Sequence, residues 1–130
     1  MIRKKKLYVR PRKAYEKKRI ADENKLMQHY ALKNKREVWK TLAKVNYFRH
    51  RAMALARASP EEQEVLFQKL SNLGLKVKSL ADVLALRIED LLERRLPTVI
   101  AKKGMAKSVK QARQFVVHKK VLIHGKAVAV

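Results

Sequence analysis

The sequence predicts a mainly α-helical protein with a small α+β part at its C-terminal end. Three observations carry this. Apolar residues return at about 3.6-residue spacing through most of the chain, Ser, Pro and Gly punctuate those segments in capping positions, and residues 121–130 read as two short strands around His124-Gly125.

Residues 1–13 combine seven bases, no acid and Pro11, too little apolar material to order by itself, and are expected to form a basic extended arm. Such an arm becomes ordered along a polyanion; the alternative is a permanently loose terminus. A helical N-terminal domain is expected over residues 14–93. Its first segment, Tyr15 to Leu32, is charged and helix-compatible, with Ile20, Asn24 and Met27 too scattered for a strong stripe. Residues 34–57 are better patterned: Val38, Leu42, Val45, Ala52 and Leu55 recur at helical spacing, and Arg36, Lys40, Lys44 and Arg51 form a second stripe. Trp39, Tyr47 and Phe48 read as core or interface packing in preference to the alternative, a base-stacking platform.

Ser59-Pro60-Glu61-Glu62 spells a helix start, with a hydroxyl cap, a proline where no amide proton is needed and a glutamate placed to reach back. The helix should run to about Asn72, burying Val65, Leu66, Leu70 and Leu73, and leave through a left-handed Gly74. Ser79 with Asp82 repeats the start signal for a short helix from Leu80 to Leu84. Ile88, Leu91, Leu92 and Leu96 mark another helix, which Pro97 should kink or end because it lacks an amide proton and clashes with the preceding turn. A second short helix starting there closes at Gly104. Ser108 with Gln111 caps a last helix with Ala112, Phe115 and Val116 inward and Lys110, Arg113 and Gln114 outward. Val121 to Ile123 and Ala127 to Val130 are the strands.

Charge narrows the function. The chain carries 33 Lys and Arg against 11 Asp and Glu, a net charge of +22 over 130 residues, far beyond what solubility requires. Residues 1–57 hold 19 bases and 4 acids, residues 58–93 hold 4 and 7, and residues 94–130 hold ten bases and no acid. A patterned segment without one carboxylate must find its counter-charges elsewhere, and phosphate of a nucleic acid is the leading partner. A uniformly basic disordered tail would be poor in apolar residues, whereas 47% are hydrophobic here. On the arm Arg10, Arg12 and Lys13, and on the helix of residues 34–57 Arg36, Lys40, Lys44 and Arg51, are candidate phosphate ligands. The bland alternative for the helix stripe, a solvated face, would interleave acids, and Glu37 is the only one there.

No run approaches the roughly 18 to 20 apolar residues of a membrane span and no signal-peptide core follows Met1, so a cytoplasmic chain without membrane contact is expected. Zero cysteines exclude disulfides and thiolate metal sites. His29, His50, His118 and His124 show no ligand spacing with acids, no Gly-rich phosphate loop occurs, and Ser59, Ser79 and Ser108 are explained as caps. The expectation is no catalysis, no metal, no cofactor and no small-molecule substrate.

The strings Leu92-Glu93-Arg94-Arg95-Leu96, Lys103-Gly104-Met105-Ala106-Lys107-Ser108 and Gln111-Ala112-Arg113-Gln114-Phe115, followed by His118 and Val121 to Gly125, resemble the S-four RNA-binding domain. Tyr30 to Lys40 resembles the body of small-subunit ribosomal protein S-four in its archaeal and eukaryotic form. Together the likeness covers roughly residues 8–130. It implies an S-four-type, helix-turn-helix-like RNA-binding domain over residues 94–130 ending in a short hairpin. It also implies a primary binder of small-subunit rRNA that supports assembly of the subunit body, contacts neighbouring small-subunit proteins, borders the messenger RNA entry region and supports translational accuracy. The RNA face carried over is Arg94, Arg95, Lys102, Lys103, Lys107, Ser108, Lys110, Arg113, Gln114, His118, Lys119 and Lys120. Arg95 and Arg113 are then expected to clamp phosphates in bidentate fashion, the alternative for Arg95 being an internal salt bridge to Glu89 or Glu93. Pro97 departs from the helix-tolerant polar residue usual in relatives. The zinc site of some bacterial relatives cannot transfer without cysteine. Other readings of the same charge are a ribosome-associated stress-type factor, a helix-turn-helix DNA regulator and a structural basic packing protein.

Overall fold

A computed structural model of the chain describes residues 6–128. Residues 1–5 of the expected arm and the last two residues of the expected second strand lie outside the described residues. Seven helices precede a hairpin: α1 Lys17–His29, α2 Lys35–Leu55, α3 Pro60–Asn72, α4 Leu80–Ala85, α5 Ile88–Glu93, α6 Leu96–Lys102, α7 Val109–Val117, then β1 Leu122–Ile123 and β2 Lys126–Ala127.

At 21 residues, about 30 Å of helix, α2 is the spine against which α1, α3, α4 and α5 pack. Asn34 starts it by accepting the Glu37 amide proton. Val45, Phe48 and Ala52 on its inner face meet Leu66, Leu70, Leu75, Val83 and Leu86 in the largest core cluster. Leu42, expected inside, is 39% exposed, because it lies on the flank of the face that Val38, Val45, Phe48 and Ala52 define. A second cluster joins Tyr30, Leu32 and Val38 to Leu92 of α5, and a third packs Ile100 and Ala106 against Ala112 and Val116 of α7.

The start of α3 is where expected, but its cap is not. Ser59 makes no side-chain cap bond; Pro60 opens the helix and Gln63 folds back to donate to the carbonyls of Leu55 and Ala58. Val65 is likewise exposed at 62%, since Leu66, Leu70 and Leu73 share one face and Val65 stands about 100° round from it. Gly74 leaves α3 at φ +80°, with the Gly74 and Leu75 amides donating back to Ser71 and Leu70. Ser79 and Asp82 do close a reciprocal capping box on α4.

Around Pro97 the chain breaks earlier than expected. α5 ends at Glu93, Arg94 and Arg95 make the turn, and Leu96 belongs to the next helix with Pro97 buried at its second position. The buried Thr98 hydroxyl donates to the Leu92 carbonyl at 3.1 Å, so it is not left unsatisfied at the corner. α6 leaves through Gly104, Ser108 accepts the Gln111 amide to start α7, and Gln111 Oε1 accepts from the Lys107 amide. The hairpin pairs Leu122 with Ala127 and Ile123 with Lys126, one residue tighter than expected, around His124 (φ +49°) and Gly125 (φ +76°). Two left-handed residues make a type I′ turn, whose twist suits a two-residue loop.

Candidate nucleic-acid interface

Two blocks of bases distant in sequence meet at one cleft. Arg36, Lys40, Lys44 and Arg51 are all exposed, because their spacing places Arg36 and Lys40 on the side of α2 away from Val45 and Ala52 and sets Lys44 and Arg51 on its flank, roughly 100° round from the buried face. The α5–α6 corner then lays Arg94 and Arg95 beside Lys40 and Lys44. The resulting cleft, about 340 Å³, is lined by these four bases with Thr41, Leu73 and Leu91. Arg94 is held over Gly74: its Nε donates to the Leu73 carbonyl at 3.3 Å, and a Cβ on Gly74 would overlap its guanidinium. Glycine here therefore serves both the left-handed turn and the approach of an arginine.

Arg95 and Arg113 are engaged differently from the other bases. Arg113 was expected to point outward, but it reaches across to the N-terminal helices, where Nη1 donates to Glu37 Oε2 at 3.0 Å and Nη2 to Oε1 at 2.9 Å. Nη1 also donates to the Ala31 carbonyl at 2.9 Å. Arg95 Nη2 donates to Glu37 Oε2 at 3.1 Å, so the internal partner of Arg95 is Glu37, and not Glu89 or Glu93. The bidentate fork that fits phosphate fits a carboxylate equally well, and here it holds one. Burial alone would raise the Glu37 carboxyl, but the Arg113 hydrogen bonds and charge, with the charge of Arg95, outweigh it and hold the group below the usual glutamate range. The Glu37 contact raises Arg113; burial lowers Arg95 despite Glu37, with Arg113 adding repulsion. Both guanidiniums stay charged.

The remaining predicted residues are exposed. Arg10, Arg12 and Lys13 lie on the arm, which has no helix or strand between residues 6 and 13, and the Lys13 carbonyl accepts from Arg19 Nη2. Lys102 pairs with Glu93 at 3.1 Å. Lys103 follows as the C-cap of α6, Lys107 and Ser108 stand at the start of α7, and Lys110 and Gln114 share its outer face one turn apart. His118 caps the end of α7, Lys119 takes a left-handed conformation at φ +57°, and Lys120 closes the turn by donating its amide to the Phe115 carbonyl.

Sequence reasoning missed the acids that organise this surface. Glu23, buried, accepts from the Trp39 indole at 2.8 Å and from Arg19 at 2.7 Å, fixing α1 on α2. Burial would raise its carboxyl, yet the Trp39 and Arg19 hydrogen bonds and the charges of Arg19 and Lys35 hold it below the usual range. Glu37 is the only acid between Asn24 and Pro60, and that isolation in a basic run was the available signal. Among the described residues no cluster of three or more His, Asp or Glu suits a metal, and no helix is long and apolar enough to cross a membrane.

Comparison with known proteins fits this geometry. A family model described as S4 domain matches residues 94–129. The small ribosomal subunit protein uS4 of Ignicoccus hospitalis is 44% identical over 124 residues, covering 91% of this chain and 75% of the relative. The uS4 protein of Methanocella arvoryzae is 40% identical, covering 97% of this chain and 68% of the relative, and that of Nanoarchaeum equitans is 40% identical, covering 98% and 76%. With such identity along nearly its whole length, the chain belongs to the uS4 family of small ribosomal subunit proteins.

Proposed function

We propose that the protein is a structural constituent of the small ribosomal subunit in the cytoplasm, binding small-subunit rRNA and neighbouring subunit proteins without catalysis. The observation that carries this is the cleft where Lys40 and Lys44 of α2 converge with Arg94 and Arg95, in a chain whose relatives are named uS4. An arm over residues 1–13, a helical domain over 14–93 and an S4 domain over 94–130 would each add bases to one RNA-facing surface. Arg10, Arg12, Lys13, Arg36, Lys40, Lys44 and Arg51 form its N-terminal half. Arg94, Lys103, Lys107, Ser108, Lys110, Gln114, His118, Lys119 and Lys120 form the C-terminal half.

Arg95 and Arg113 sit in ion pairs with Glu37 and contribute first by placing those halves, while Lys102 makes an exposed pair with Glu93 that leaves it at the surface. A-form RNA hides its major-groove base edges, so phosphates, riboses and junction shape are what this surface reads. Support of subunit assembly and translational accuracy, and a place beside the messenger RNA entry region, belong to the same reading.

The test is co-sedimentation with small subunits, expected at one copy each, together with salt-dependent binding to small-subunit rRNA. With about six or more phosphates contacted, affinity should fall on the order of a thousandfold between roughly 50 and 200 mM salt. A flat salt response, or substoichiometric co-sedimentation, contradicts it.

A further inference from the structure

We infer that the groove between the N-terminal arm and α2 is a subsite for one unstacked nucleobase of the bound RNA. The inference rests on the rRNA-binding reading and adds to it a contact made by stacking, where the rest of the surface offers charge.

The groove encloses about 560 Å³. Leu7, Tyr8 and Val9 of the arm form one wall, Ala43 and Tyr47 of α2 the other, and Lys6, Lys40 and Lys44 stand among them. Ala43 and Tyr47 are one helical turn apart on the same face, so the small residue leaves a recess beside the large ring. Both tyrosines are pre-positioned. Tyr8 lies 6.0 Å from Trp39, centroid to centroid, and Trp39 is itself fixed by its bond to Glu23. Tyr47 rests edge-on against Phe48 at 5.5 Å, and its hydroxyl accepts from Arg51 at 3.4 Å, with the residue left 49% exposed.

The arm does not fill this space as a hydrophobic strap would, because Leu7 and Val9 are 74% and 81% exposed. What remains is a mostly apolar recess between two aromatic rings, surrounded by ammonium groups. An apolar peptide would gain nothing from the lysines and a basic one would be repelled. An unpaired base brings flat π faces for the rings and flanking phosphates for the lysines, the pairing by which single-stranded RNA is held.

Trp39, the only tryptophan, touches Tyr8 and reports on the groove. The experiment compares an oligouridylate with an abasic oligomer of the same length and charge. The oligouridylate should bind roughly 5- to 150-fold more tightly and quench Trp39 fluorescence. Ala43→Leu, which fills the recess on an outward helix face, and Tyr47→Ala should erase that advantage without changing the salt dependence or the circular dichroism. Tyr47→Phe should keep it within about twofold. Equal affinity for the two oligomers, or an Ala43→Leu variant that still discriminates them, overturns the inference. In either case retained binding of small-subunit rRNA leaves the broader reading standing, while loss of rRNA binding by the unmodified protein overturns both.

Discussion

Glu37 and Arg113, 76 positions apart in the chain, are joined by two parallel hydrogen bonds at 3.0 and 2.9 Å that tie the start of α2 to the middle of α7. Arg95 completes the contact at 3.1 Å, so one carboxylate holds two guanidiniums of the acid-free C-terminal segment against the helical body. The side chains are about one-quarter exposed, enclosed enough that losing the charge leaves two cations facing each other without a counter-charge.

Glu37→Gln is therefore expected to destabilise the protein by about 1–3 kcal/mol, read as a lower urea midpoint at unchanged slope. Arg113→Lys should cost about 1 kcal/mol or more, since an ammonium cannot span both carboxylate oxygens and the Ala31 carbonyl together. RNA affinity separates two roles for Glu37. Removing an acid from an RNA-binding protein strengthens binding if long-range charge is all that matters. If the carboxylate positions the two basic halves, Glu37→Gln binds small-subunit rRNA no more tightly than the unmodified protein, and tighter binding would falsify the positioning role.

Acid should weaken the fold through the same group. Glu23 and Glu37 both have carboxyls lowered in the folded state, against an unfolded value of about 4.3. A lowered folded-state value means stabilisation that is present above the unfolded value and is lost as pH falls through the folded one. The urea midpoint should thus hold between about pH 7 and 5 on account of these groups and drop below roughly pH 4.3. Glu37→Gln should flatten that drop only partly, because Glu23 and the capping Asp82, whose carboxyl the Lys78 and Ser79 amides hold below its ordinary range, still titrate there. A drop of equal steepness in both proteins would show that general charge repulsion, and not Glu37, governs the acid limb.

The helices were legible because each buries one face against α2 or α6, and burial of a face leaves a local period. Val45, Ala52, Leu66, Leu70, Ala112 and Val116 follow that period and are all buried. Caps were legible where a side chain bonds within three residues, as at Ser79 and Ser108, and misleading at Ser59, where Gln63 folds back onto the preceding turn instead. Leu42 and Val65 show the limit of spacing alone, since an apolar residue on the flank of a stripe counts toward the pattern without facing the core. At the interface, the charge of each base could be read but not its partner. Arg36, Lys40 and Lys44 stayed on an outer face as spacing dictates. The Glu37 contact depends on where the α5–α6 corner sets α7 so that the Arg113 side chain reaches the start of α2, a long-range relationship that no local pattern of residues encodes.

Arg94 offers a way to separate folding from binding at the cleft. Gly74 and Gly104 both end helices in the left-handed region, at φ +80° and +75°, so alanine at either position should cost about 1 kcal/mol of stability for the same backbone reason. Their surroundings differ. Nothing lies within 4 Å of a Cβ built on Gly104, whereas one on Gly74 meets the Arg94 guanidinium, the far end of a flexible side chain that can move aside by giving up its exposed bond to the Leu73 carbonyl. Gly74→Ala should consequently match Gly104→Ala in urea unfolding yet alone weaken rRNA binding, by displacing Arg94 from the cleft it shares with Lys40 and Lys44. In an Arg94→Ala background the binding effect of Gly74→Ala should vanish, a non-additivity that a double-mutant cycle measures directly. Additive losses would mean that Arg94 is not the route by which Gly74 affects the RNA.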